Sequence, residues 1–152
     1  VAFLIEHDLE ISAPAEVVWE VISDLPRYGE WNPFCIEVRS TLKPGDTIDM
    51  RVKLGKRAQF QREFVTDYDA GRGFAYRMKP APAGALSSRR AHQIRALDAQ
   101  RCRYQSQFRL QGWLVPLVRG LLGARLQTGF SGMSHAVKQR AEQLWEQRKR
   151  AV

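Results

Sequence analysis

The sequence predicts an α+β fold in which a curved antiparallel sheet of about six to seven strands surrounds a long C-terminal helix. Three observations carry this expectation. The chain opens with a strand pattern and two short helical pieces. A series of short alternating segments follows, each ended by a turn sequence, with no helix between them. The last third then switches to an apolar period of three to four residues.

In the first segment Phe3, Ile5, His7, Leu9 and Ile11 share one parity, opposite Leu4, Glu6, Asp8 and Glu10. A period of two is that of a half-buried strand. Ser12-Ala13-Pro14 changes the period, since proline suits a helix start and Glu16 favours its positive end. Val17, Val18, Val21 and Ile22 supply the helical stripe, and Leu25-Pro26 stops it. A second short helix or turn carries Arg27 to Trp31 and closes at Asn32-Pro33. Strands are then expected over Cys35–Leu42, Ile48–Leu54, Gln59–Tyr68, Phe74–Met78, Ser88–Leu97 and Cys102–Leu110. Their turns are Lys43-Pro44-Gly45-Asp46, Gly55-Lys56, Asp69 to Gly73, Pro80 to Gly84 and the region of Asp98. Strands this closely spaced, with no helix between them, must pair antiparallel.

From about Pro116 to Arg148, Val118, Leu122, Leu126, Phe130, Met133, Val137, Ala141 and Leu144 form one helical stripe. Gly120, Gly123, Gly129 and Gly132 interrupt good helix-formers at about 1 kcal/mol each. Close approach of bulky neighbours explains tolerating them. A stripe this long needs a large concave apolar partner, and the inner face of the sheet is the only one available.

At 152 residues the chain is expected to form one domain, 1–152, with 44% hydrophobic and 26% charged residues, an ordinary globular balance. No apolar run approaches the ~18 residues of a membrane span, and no signal-peptide pattern is present. Cys35 and Cys102 do not make a disulfide framework, so a reduced cytoplasmic setting is expected. The net charge of +8 is spread from Arg27 to Arg150 and interleaved with acids, which reads first as a solvated surface. Nucleic acid is not expected as a partner, because the aromatics fall mostly on the inner face where bases could not stack.

The element order and two motifs resemble the START-like (SRPBCC) superfamily with its helix-grip, Bet v 1-like fold. Ile11-Ser12-Ala13-Pro14-Ala15-Glu16-Val17-Val18-Trp19 is similar to the family's opening, and Asp24 to Pro33, ending in Tyr28, Trp31, Asn32 and Pro33, to its sequel. Leu126 to Glu142 is similar to its closing helix. The bacterial polyketide cyclase/dehydrase-like branch resembles the chain most. The resemblance implies an apolar cavity between sheet and helix.

Inward-facing candidates to line such a cavity are Met50, Phe60, Phe64, Phe74, Tyr76, Met78, Phe108, Phe130 and Met133. Leu122 and Leu126 of the stripe and Trp31 join them, and His92 and Tyr104 are the polar members. His7 reads as a core histidine and Cys102 as a packed residue without a basic helper. His92, Tyr76, Tyr104 and Arg90 are the candidates for acid/base work, His92 because an imidazole can exchange protons near neutral pH. The orientation of Arg62, Glu63 and Arg90 is left open by weak patterning. No metal or cofactor motif is present: no histidine pair at ligand spacing, no phosphate loop, no GxSxG, no CxxC.

Two functions follow. The first is binding or transport of a hydrophobic small molecule, such as a lipid, isoprenoid or polyketide-like aromatic. The alternative is a polyketide-type aromatic cyclase or dehydratase using a cavity acid/base group. A weaker reading docks Lys138, Arg140, Arg148, Lys149 and Arg150 on an anionic membrane. The sequence leaves the oligomeric state open.

Overall fold

A computed structural model describes all 152 residues. Strand β1 (Ala2–Ile11) leads into helix α1 (Ala15–Ser23) and a 3-10 turn (Leu25–Glu30). Strands β2 (Cys35–Ser40), β3 (Thr47–Val52), β4 (Gln59–Asp69), β5 (Gly73–Arg77), β6 (Ser87–Ala96) and β7 (Cys102–Gln111) follow, then helix α2 (Val115–Arg150). The seven strands form one antiparallel sheet in the order β1-β7-β6-β5-β4-β3-β2. β1 and β2 are therefore opposite edges, and α1 with its 3-10 turn crosses from one to the other. This is the START-like helix-grip architecture.

Local chemistry explains the joints. Pro14 is extended and its carbonyl accepts the first N–H groups of α1, from Val17 and Val18. The Tyr28 hydroxyl donates to the Ile22 carbonyl, tying the 3-10 turn back onto α1. The Asn32 side-chain oxygen accepts N–H bonds from Phe34 and Cys35, both 2.9 Å, and so shapes the entry to β2. Asn32-Pro33 is thus a fold-making motif. β2 ends at Ser40 rather than Leu42, because Leu42 has φ of 59°, a left-handed conformation that cannot continue a strand. A register shift between Val65 and Asp67 bends β4, helping to curl the sheet. Gly112, at φ 128°, sits where a Cβ would strike the Ala85 carbonyl, so the β7–α2 joint closes tightly on the β5–β6 loop.

Helix α2 runs 36 residues, about 54 Å. Its two halves pack differently. Met133, Val137 and Ala141 are fully buried against the sheet and α1. Val118 and Leu122, two turns into the helix, are only half-buried although they point the same way. The sheet has curled away from the helix there. No helix in the structure is long and apolar enough to cross a membrane.

Candidate functional site

A cavity of about 320 Å³ lies between the first turns of α2 and the sheet's inner face. Fourteen of its nineteen lining residues are hydrophobic. A larger depression, about 430 Å³, lies on the outer face of the sheet, but only three of its sixteen lining residues are hydrophobic. Apolar walls with a few placed polar groups characterise small-molecule sites, so the inner cavity is the candidate.

At its outer end stand Leu54, Met78, Leu86, Val118 and Leu122, all half-buried. At its inner end stand Cys35, Tyr76, Arg90 and Phe130, all buried. The cavity therefore opens where the β3–β4 turn, the β5–β6 loop and the start of α2 meet.

Arg90 dominates the closed end. It is 1% exposed, yet every contact it makes is to a neutral group. One terminal nitrogen donates to Ser106 Oγ at 2.6 Å and, at 3.3 Å, to the carbonyls of Ala91 and Gln107. The other lies 3.5 Å from Met133 Sδ, the guanidinium sits 4.9 Å from the Phe130 ring centre, and Nε has no partner. A guanidinium cannot shed its proton in a protein. The cavity thus contains a permanent positive charge without a carboxylate in contact. Tyr76 is directly opposite Arg90 in the β5–β6 ladder and shares its wall. Burial raises its hydroxyl pKa well above the ordinary value, so it remains a donor.

Glu63 enters from β4. Its carboxyl is pushed up to about 7 by burial, with the Arg90 charge pulling the other way. It consequently exchanges a proton near neutrality.

The structure brings together Met50, Tyr76, Met78, Arg90, Phe108, Leu122, Leu126 and Phe130 from the sequence-predicted set. The other seven lie elsewhere. Phe60 and Phe64 stand on the outer side of β4: pairing with β3 sets Met50 opposite Gln61 and Ile48 opposite Glu63, so Gln61, Glu63 and Val65 face inward. Phe60 is 62% exposed and Arg62 forms an outer-face ion pair with Asp49 at 2.7 Å. Trp31 packs on Tyr28, ring centres 5.0 Å apart, away from the cavity. His92, Tyr104, Phe74 and Met133 are buried inside but form solid core. His92 Nδ1 is 2.6 Å from the Tyr104 hydroxyl, and its ring packs 4.8 Å from Phe74. Burial, then the Arg90 charge, holds the His92 pKa well below its usual value. A neutral imidazole walled off from the cavity is a poor acid/base group there.

Glu63, whose orientation the sequence left open, faces the cavity, and Phe34, Cys35 and Ser88 of the lining were not among the sequence candidates. Cys35 is inert as a nucleophile, its thiol pushed up to about 12 by burial. Nowhere do His, Cys, Asp and Glu side chains gather in a group of three that could hold a metal.

A curved antiparallel sheet gripping a long C-terminal helix, with two short helical pieces after the first strand, is the START-like helix-grip fold. Residues 3–142 match the family model described as polyketide cyclase / dehydrase and lipid transport, and the chain belongs to that family. Solved structures agree on the fold. The Zhui aromatase/cyclase from Streptomyces sp. R1128 is 21% identical with a TM-score of 0.76, covering 93% of this chain and 94% of that one. A START superfamily protein from Mycobacterium smegmatis is 17% identical, TM-score 0.70, over 93% and 98% of the two chains. Norcoclaurine synthase from Thalictrum flavum is 16% identical, TM-score 0.68, over 93% and 94%. No curated protein sequence matches the chain.

Proposed function

We propose that the chain binds a hydrophobic small molecule in the inner cavity, with one oxygen of that molecule accepting a hydrogen bond from Arg90. The observation that carries this is the buried guanidinium whose hydrogen bonds and ring contact are all to neutral groups. A cation removed from water keeps a large unmet demand for an acceptor. An apolar body with a carbonyl, phenolate or carboxylate at one end supplies both halves of the match. Affinity then comes from burying apolar area at about 25 cal/mol per Å², and orientation from Arg90 and Tyr76. The test is native mass spectrometry of the purified protein, followed by calorimetric titration with fatty acids, flavonoids and polyketide-like aromatics. Saturable binding that weakens in Arg90→Met supports the reading. No saturable ligand across the panel defeats it.

Glu63 favours a second reading, cyclisation or dehydration of a polyketone. A carboxylate of pKa near 7 can remove a proton from a carbon between two carbonyls, while Arg90 and Tyr76 stabilise the enolate oxygen. The enolate carbon attacks a second carbonyl of the same chain, forming the C–C bond. Protonated Glu63 then returns its proton to the resulting alkoxide; dehydration follows when Glu63 removes the second proton from the same carbon and delivers it to the hydroxyl, which leaves as water as the C=C bond forms. Turnover of a short poly-β-ketone thioester, lost by two orders of magnitude or more in Glu63→Gln while binding persists, would support it. Equal rates in both proteins would eliminate Glu63 as the base.

A further inference from the structure

The cavity's mouth carries a surface that the binding reading does not use. Trp113, Leu117 and Leu121 are 63%, 58% and 71% exposed. Leu117 and Leu121 stand one turn apart on α2, about a quarter turn round the helix from the half-buried Val118 and Leu122, and Trp113 stands in the turn just before the helix. The Trp113 ring is pinned in place by its indole N–H, which donates to the Ala83 carbonyl at 3.0 Å.

Cations stand around the same end of the molecule, Arg119 on the far side of α2 from Leu117 and Leu121. Arg119 stacks 5.4 Å from the Phe3 ring centre. Arg125 lies beside Gly55 of the β3–β4 turn, which itself carries Lys53, Lys56 and Arg57. None of these five takes part in an ion pair. Residues 50–62 and 99–141, which include all five, contain no acidic residue. The far end of α2 is the reverse. Lys138, Arg140, Arg148 and Lys149 are engaged by Glu142, Glu30, Glu20 and Glu146. The basic cluster most conspicuous in the sequence is therefore largely neutralised, whereas these five cations around the mouth carry no ion pair.

We infer that the mouth end of the molecule docks on an anionic lipid bilayer, through Trp113, Leu117 and Leu121 and the cations around them. Exposed leucines beside an indole, with cations around the same end of the molecule, match the headgroup boundary, which accepts protruding side chains without a matching groove. Unpaired cations at that end are drawn to anionic headgroups, each strengthening binding by roughly fivefold. Docking in this pose points the cavity's opening at the acyl region. The inference stands apart from which molecule the cavity holds.

The test is co-sedimentation of the full chain with phosphatidylcholine vesicles, with and without one part in four of phosphatidylglycerol. The expected result is partition onto the anionic vesicles at least about tenfold stronger than onto neutral ones, falling steeply as salt shortens the electrostatic range. Leu117→Ser/Leu121→Ser and Arg119→Gln/Arg125→Gln should each weaken partition about tenfold or more, with an unchanged melt for the exposed leucine pair and at most a small drop for the arginine pair, where Arg119 loses its contact with Phe3. Arg140→Gln/Arg148→Gln should leave partition within about twofold of wild type. Three results would overturn the inference: no binding to anionic vesicles, wild-type binding by both mouth variants, or loss confined to the distal variant. The first would turn attention to an acidic protein as the occupant of this surface. Cavity binding measured by calorimetry without vesicles is a separate readout, so either proposal can fail alone.

Discussion

The guanidinium of Arg90 in β6 lies 4.9 Å from the ring centre of Phe130 in α2, so a cation–π contact joins sheet and helix at the closed end of the cavity. Such a contact, with the Ser106 hydrogen bond, offsets only part of the cost of removing a guanidinium from water. A buried charge that stability does not require is one that function can use. Arg90→Met keeps the volume and removes the charge. The expected outcome is a melting temperature equal to or above wild type, as buried ions replaced by apolar groups often give 1–4 kcal/mol of stabilisation. Ligand affinity should meanwhile fall about tenfold to a hundredfold with the charge-assisted bond. Thermal unfolding and calorimetry on the same preparations check both halves. A large loss of stability with intact affinity would make Arg90 a structural residue.

Glu63 gives stability a distinctive dependence on pH. Its folded-state pKa of about 7 lies above the ordinary 4.5. Between those values the folded chain holds a proton that the unfolded chain has released, so this group's contribution is most favourable below 4.5 and declines as pH rises through 7. The loss amounts to about 3 kcal/mol by alkaline completion. His92 acts in the opposite sense, because its folded-state pKa is depressed: its contribution is lost as pH falls below 6.5. Wild type alone would mix the two. Urea unfolding of wild type and Glu63→Gln at pH 5 and pH 8 separates them. The variant should gain on wild type by about 2–3 kcal/mol between the two pH values. A constant difference would show that Glu63 reaches water in the folded state.

The two strands that supply Arg90 and Glu63 also show where the sequence stops being legible. β1, β3, β7 and α2 each have one wet and one dry face, so alternation or helical spacing placed them correctly. β4 has polar Gln61 and Glu63 on its inner side, bordering a void, and Phe60 and Phe64 outside. Hydrophobicity therefore points the wrong way along that strand. Val65 is the signal that could have corrected it, being buried and of Glu63's parity. In β6, Arg89 and Arg90 are adjacent and one must face inward. The parity of His92 and Ile94, both buried, selects Arg90. Trp31 misled for a different reason: a large aromatic in a motif need only pack on its own turn, as it does on Tyr28.

His92 and Tyr104 are expected to behave as a structural pair rather than as proton carriers. Their 2.6 Å hydrogen bond is fully buried, and His92 Nε2 already lacks a partner. His92→Leu leaves the Tyr104 hydroxyl unpaired and Tyr104→Phe leaves the imidazole unpaired, each costing about 1–3 kcal/mol. Combining them removes both polar groups, so the double variant should be more stable than the sum of the singles by at least about 0.5 kcal/mol. Urea unfolding of the four proteins measures that coupling. Additive losses would mean the two groups do not satisfy each other.

The glycines of α2 divide by what stands opposite them. A Cβ on Gly129 would overlap the Phe34 ring, which itself packs edge-on to Phe130 at 4.9 Å. Phe34 lines the cavity, so the missing side chain at Gly129 is what lets this aromatic slot between helix and β2. Gly120 has nothing within 4 Å of its would-be Cβ. Gly129→Ala should therefore destabilise by about 1–3 kcal/mol through overpacking, and should alter ligand affinity by displacing Phe34. Gly120→Ala should stabilise by about 1 kcal/mol, the helix-propensity difference alone. Opposite signs from one substitution type on one helix would tie the tolerance of Gly129 to packing against Phe34. If both variants gain stability, the ring is free to move aside, and the helix does not press on the cavity wall as tightly as its geometry indicates.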